Sequence, residues 1–194
     1  MEKSLLMCDS TEGDGTAEIV MDFVMSYSLR HAVDEYLVEK PMLCRYCRNM
    51  LGKLIDVDIT DKTHIKSINV WKEWEHIDLC VEVVIIDGEA EYKYAVLVEN
   101  KYYGQLKNGT LQRYKEAFDV HYKGTDYIKS YKFVSCYEKL DEIEKKYGAV
   151  LAKTPEFTPL PFYDLLPTKY WHEDKKAYED TEREIFNEFW LRKW

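Results

Sequence analysis

At 194 residues and 46% hydrophobic, the chain suits one packed domain and is short for two. A net charge of −9 and a pI near 5.1 argue against a surface that is a nucleic-acid footprint throughout. The start, MEKSLLMCDSTEGDG, has no apolar run of signal-peptide length, and no later stretch reaches a membrane span. The five cysteines, an odd number, therefore read as free thiols in a reducing cytoplasm.

Residues 1–15 are polar and read as a loose lead-in. From Ala17 to about Val33, the positions Val20, Phe23, Val24, Tyr27 and Ala32 recur at helical spacing. Pro41 opens a second helix, with Met42, Leu43, Tyr46, Cys47, Met50, Leu51 and Leu54 as its apolar stripe. Residues 66–72 read as a strand. Residues 77–86 and 92–101 are two β-branched runs around Asp87-Gly88, a strong hairpin signal. Asn108-Gly109 predicts a turn, and Thr110 an N-cap for a helix to about Tyr122. A strand over 131–136 and a short charged helix over 138–146, closed by Gly148, follow. Four of the five prolines fall in 149–170, which suits an edge strand and loops. Residues 173–192 predict a last amphipathic helix with Tyr178, Ile185, Phe186 and Phe189 inward. The order is α–α–β–β–β–α–β–α with a C-terminal helix, which is an α/β pattern.

Chemistry concentrates in the hairpin. Asp78 starts one arm, and Glu99 and Lys101 end the other, projecting from one face because strand side chains alternate. Two carboxylates and an ammonium thus converge at one sheet edge, the local chemistry of a divalent-metal site that activates water. The plain alternative is a charged cluster at strand ends. Residues 101–133 hold seven Lys/Arg against three acids, interleaved with aromatics. That pattern suits either a polyanion contact or a solvated rim around core rings.

With these residues in hand, the chain resembles the PD-(D/E)XK nuclease superfamily. It looks most like the bacterial branch with an I-D strand, an E-N-K strand and a helix bearing an arginine–tyrosine pair. Here those are Ile77-Asp78, Glu99-Asn100-Lys101 and Arg113-Tyr114. The resemblance covers about residues 16–136. It implies a restriction-endonuclease-like mixed central sheet flanked by helices, in a single domain spanning 1–194. It implies a hydrolase cleaving phosphodiester bonds with Mg²⁺, Mn²⁺ substituting, on DNA more than RNA. Asp78 and Glu99 would be metal ligands and Lys101 would orient or activate the attacking water. On the basic aromatic stretch rather than the resemblance, Lys107, Arg113, Tyr114 and Lys115 are the expected nucleic-acid contacts. The family also places an acid on the first helix facing the metal; Asp22 fits slightly better than Glu18, and the two share a helix face. One departure is Thr110, where the family often has glutamine four residues before the helix tyrosine; Gln112 sits inside the motif instead. The runner-up is a non-cleaving protein that keeps the fold and docks protein partners, which Thr110 and the −9 charge favour.

Other features carry less. Cys44-x-x-Cys47 lacks the second pair a zinc site needs and sits mid-helix, where one buried cysteine is the ordinary reading. The five histidines form no ligand spacing, and His76 reads as a strand-edge residue near Asp78. Trp71 and Trp74 either pave a substrate path or pack in the core, core packing being the commoner case.

Overall fold

A computed structural model describes residues 2–7 and 15–193. Five strands form one mixed sheet in the order β1-β2-β3-β4-β5. The β-branched runs supply β1 (His64–Trp74), β2 (Ile77–Asp87) and β3 (Ala90–Lys101), an antiparallel meander. Asp87 pairs with Ala90 across a two-residue turn whose first residue, Gly88, takes φ +61° at no steric cost. After β3, α4 (Thr110–His121) carries the chain to β4 (Ile128–Ser135), which runs parallel to β3. Then α5 (Leu140–Leu151) leads to β5 (Thr158–Pro161), parallel to β4 at the sheet's edge. The fold is α/β and restriction-endonuclease-like.

Strand alternation sends residues of β3 into two cores. Val96 and Val98 enter a cluster with α1 (Gly15–Arg30), α3 (Pro41–Ile55) and α6 (Glu184–Trp190). Ala95 and Leu97 enter a second cluster with α4 and α5. Strands covered on both faces read as continuous apolar runs, as β3 does. Helix α1 is fixed at both flanks. Arg30 donates to the Val70 carbonyl of β1, and the Trp190 indole of α6 donates to Ser28 at 2.9 Å. Helix α3 is pinned by Arg48, 1% exposed. Its guanidinium donates to the carbonyls of Ala32, Thr60 and Thr63 at 3.0, 2.6 and 2.9 Å and pairs with Asp34 at 2.5 Å. Among the described residues no helix is long and apolar enough to cross a membrane.

Several sequence expectations need correcting. Residues 2–7, expected as a loose lead-in, run beside the carboxy terminus, with Ser4 N–H donating to Lys193 O at 2.8 Å and Met7 buried. Residues 1 and 8–14 lie outside the described residues. Helix α1 ends at Arg30, and Phe23 faces out, under the Lys72 ammonium at 4.7 Å; Met21, Met25 and Leu29 take the inner stripe. A further short helix, α2 (Glu35–Glu39), precedes α3. Thr110 is the first residue of α4, and the N-cap is left-handed Gly109. Helix α5 runs through Gly148 to Leu151, because Ile143, Tyr147 and Leu151 continue one buried stripe.

The long C-terminal helix is largely absent. Trp171–His172 and Ala177–Tyr178 form a small hairpin, β6 and β7, and α6 is only seven residues. Trp171 and Tyr178 pair across it edge-on at 5.1 Å, and such a cross-strand aromatic pair outweighs helical spacing. Asn187 accepts from the N–H and hydroxyl of Thr181, bending the chain before the helix. Ile185, expected inward, is exposed, while Phe186, Phe189 and Trp190 are buried.

Arg48→Leu should lower the unfolding free energy by about 3 kcal/mol, since it leaves three carbonyls short of a donor at roughly 1 kcal/mol or more each. Urea unfolding followed by circular dichroism checks this. A loss below about 1 kcal/mol would mean water replaces the guanidinium there.

Candidate active site

The functional side chains meet where β2 begins and β3 ends. The pairing of Leu79 with Val98 puts Asp78 beside Glu99. Lys101 lies on the same side of β3, its Nζ 2.9 Å from Glu99 Oε1 and 3.9 Å from Asp78 Oδ2. The same ammonium donates to the Asn100 carbonyl at 2.8 Å. Asp78, Glu99 and Lys101 are therefore brought together.

Helix α1 crosses this end of the sheet and adds two acids in different roles. Asp22 is buried, and its Oδ1 accepts from Asn100 Nδ2 at 2.7 Å. The Asn100 backbone N–H donates to Asp78 Oδ2, also at 2.7 Å. One residue of the E-N-K run thus holds two carboxylates of the cluster, a role that its place in the motif did not by itself assign. Glu18 turns to the other side. Its Oε2 lies 3.3 Å from Lys101 Nζ, and its Oε1 accepts from the Tyr102 N–H at 3.2 Å. A Cβ at position 104 would lie 2.4 Å from Glu18 Oε1, so Gly104 gives that carboxylate its room.

A fifth acid, Glu73, was not legible in the sequence. The register places it opposite Asp78, between the pairs Lys72–Leu79 and Trp74–Ile77. Carboxylate oxygens of Asp22, Glu73 and Asp78 lie within 4.8 Å of one another. Glu73 has φ +60°, and the turn residues Glu75 and His76 have φ +52° and +65°. Histidine is among the residues enriched in this region but glutamate is not, so nothing in Trp-Lys-Glu-Trp-Glu announces the geometry at 73 and 75. His76 occupies that turn.

Burial and crowding set the electrostatics. Desolvation, then the Asp78 charge, pushes Asp22 up to about 7. The same two causes push Glu99, 2% exposed, up to about 8. Asp78 is also raised, by burial, although Lys101 and the Asn100 N–H pull it back. Burial draws Lys101 downward, but Glu99, Asp78 and Glu18 outweigh it and hold the ammonium well above its ordinary value. Lys101 is therefore a fixed positive charge. Glu99 Oε1 contacts that ammonium, whereas its buried Oε2 has no hydrogen-bond partner among the described residues. An orphaned carboxylate oxygen beside a second carboxylate calls for a proton or a cation.

The expected nucleic-acid contacts separate. Lys107 and Arg113 are exposed, with the Arg113 guanidinium 5.1 Å from the Tyr114 ring centre. Tyr114 is buried on α4, close enough to feel the charges of Glu99 and Asp78. Lys115 is engaged by Asp119 at 2.7 Å and Glu156 at 3.5 Å. Lys129 pairs with Asp119, and buried Lys132 with Asp56 at 2.7 Å. Four of the seven basic residues over 101–133 are thus held by carboxylates. Cys44 and Cys47 are both buried free thiols, pushed up by desolvation.

The sequence profile described as the PD-(D/E)XK nuclease superfamily matches residues 12–185. Comparison with curated proteins and with solved structures returns no match.

The raised carboxyls fix how the metal-free protein responds to pH. Their folded values exceed their unfolded ones, so the native state binds more protons between about pH 4 and 8 and its stability falls as pH rises through that window. With chelator present, the melting temperature should fall from pH 6 to pH 9, and Mn²⁺ should raise it most at the alkaline end. A Mn²⁺ shift that is equal or larger at pH 6 would contradict this reading.

Proposed function

The chain belongs to the PD-(D/E)XK nuclease superfamily, and from that premise we propose that it hydrolyses phosphodiester bonds of DNA with Mg²⁺ bound at the Asp78–Glu99 corner. The observation that carries the reading is the buried Glu99 Oε2, without a hydrogen-bond partner among the described residues, beside Asp78, with Asp22 and Glu73 close by. The donor set is all carboxylate oxygen, which suits hard Mg²⁺ or Mn²⁺ and excludes the thiolate chemistry of a zinc site. Asp78 and Glu99 would hold the ion, with Asp22 and Glu73 as the further oxygens. When bound, the ion acidifies a water and offsets charge building on the phosphate.

In the metal-free corner Glu99, Asp78 and Glu18 favour the charged form of Lys101, which suits an ammonium that orients water more than one that takes its proton. Its chemistry is to position the attacking water and stabilise the charged transition state. Asn100 keeps Asp22 and Asp78 apart and aimed, and Glu18 keeps the ammonium from drifting off the corner. Arg113 and Lys107 offer exposed charge for the phosphate backbone, and Tyr114 supports the corner from α4. The four cysteines among the described residues are buried free thiols, which suits a reducing cytoplasm.

One observation favours a second reading, a non-cleaving protein that binds partners. Most of the basic stretch is consumed by internal ion pairs, which leaves little surface charge for a polyanion.

The test is nicking of plasmid and degradation of linear DNA, single-stranded DNA and RNA with Mg²⁺ or Mn²⁺ against chelator. Lys101→Ala should lose at least about a hundredfold in rate, the scale for removing one fixed charge donor, while DNA affinity is kept. Asp78→Asn should abolish the Mn²⁺ shift in melting temperature. Glu73→Gln should weaken Mn²⁺ binding by about tenfold, a loss typical even of groups that only support a ligand. No cleavage and no binding of any substrate at low salt would transfer the case to the second reading.

A further inference from the structure

A small aromatic pocket lies on the same face of the sheet as the carboxylate corner. Trp71 pairs with Cys80 and Trp74 with Ile77 across β1 and β2. In an unbroken strand, residues three apart face opposite sides. The left-handed backbone at Glu73 breaks the alternation, so both indoles line one pocket of about 230 Å³, with Cys80, Glu82, His121 and Tyr122. Trp74 stands edge-on to the His121 ring at 4.8 Å. Trp71 is 43% exposed, much for a tryptophan on a sheet. Cys80 is two residues along β2 from Asp78, so the pocket begins about 7 Å from the corner.

The lining selects its occupant. Indole and imidazole rings accept a flat ring by stacking. Glu82 is the charged group of the pocket, and its Oε1 already accepts the Tyr122 hydroxyl at 2.9 Å. A carboxylate repels phosphate, so the sugar–phosphate backbone does not enter. It accepts a hydrogen bond from an amino group, as carboxylates do from cytosine N4. Resting on the nuclease reading above, we propose that this pocket takes one unpaired nucleobase bearing an exocyclic amine, next to the scissile phosphate. The substrate class is then single-stranded DNA, or a frayed or flapped end. In a duplex the base is stacked and its amine is paired, so an intact duplex does not fill the pocket.

The test is fluorescence anisotropy on the full chain with Ca²⁺ replacing Mg²⁺. The probes are labelled oligo-dC, oligo-dT and a blunt duplex. Wild type should bind oligo-dC about tenfold tighter than oligo-dT, the low end of what one good base contact discriminates. Trp71→Ala should weaken oligo-dC binding by about tenfold, within the worth of one base–aromatic stack, and leave duplex binding unchanged. Trp71→Phe should restore most of it, which separates stacking from a folding defect. Glu82→Gln keeps the shape and the Tyr122 contact and should erase the preference for dC over dT. Equal effects of Trp71→Ala on duplex and single strand, or no effect, would overturn the pocket while leaving the nuclease reading in place. Failure of wild type to bind any of the three probes defeats both.

Discussion

Five carboxylates crowd one ammonium at the end of the central strand, and the surrounding fold exists in a form that tolerates this. Glu18, Asp22, Glu73, Asp78 and Glu99 come from four elements; Asp22 and Glu99 are buried, while Glu73 stands at the exposed rim. Like charges at this spacing raise each other's proton affinity, and burial adds to it. The answers are local. Lys101 stays charged, Asn100 donates from both its backbone and its side chain, and the corner keeps one oxygen open. Each answer requires β3 to be rigid. Its burial on both faces, with Val96 and Val98 in one cluster and Ala95 and Leu97 in the other, supplies that rigidity.

Helix α1 must then sit accurately over the sheet end, since it delivers two of the acids from some eighty residues away in the chain. Its placement is shared between an arginine reaching the edge strand and a serine held by the last helix. The amino-terminal segment closes on the carboxy terminus through Ser4 and Lys193. The helix that aims Glu18 and Asp22 thus depends on the final residues, which carry no site chemistry of their own.

How far the sequence revealed all this follows from which signals are local. The hairpin, its Asp-Gly turn and the meeting of Asp78, Glu99 and Lys101 follow from alternation and pairing alone, and they are legible. Asp22 had only a slight edge over Glu18, because i,i+4 spacing sets both on one face and only the sheet's position beneath decides that Glu18 reaches Lys101 and Asp22 reaches Asn100. The basic stretch misleads for a similar reason: a count of charges does not show that Asp56, Asp119 and Glu156 stand opposite. The C-terminal helix was overdrawn because Tyr178 fits a helical stripe as well as a cross-strand pair with Trp171. Glu73 had no signal, since its side of the sheet depends on a backbone state that its residue type disfavours.

That backbone state has a consequence for how this chain can change. A left-handed non-glycine residue costs on the order of 1 kcal/mol or more, and three occur within four residues, at positions 73, 75 and 76. A glycine at 73 would relax the strain at once, and would remove the carboxylate facing Asp22 and Asp78. At 75 and 76 the same exchange removes no carboxylate of the corner. Stability and chemistry are opposed at one position of the hairpin and independent at its neighbours, so the turn is free to drift toward a more robust sequence while position 73 is not.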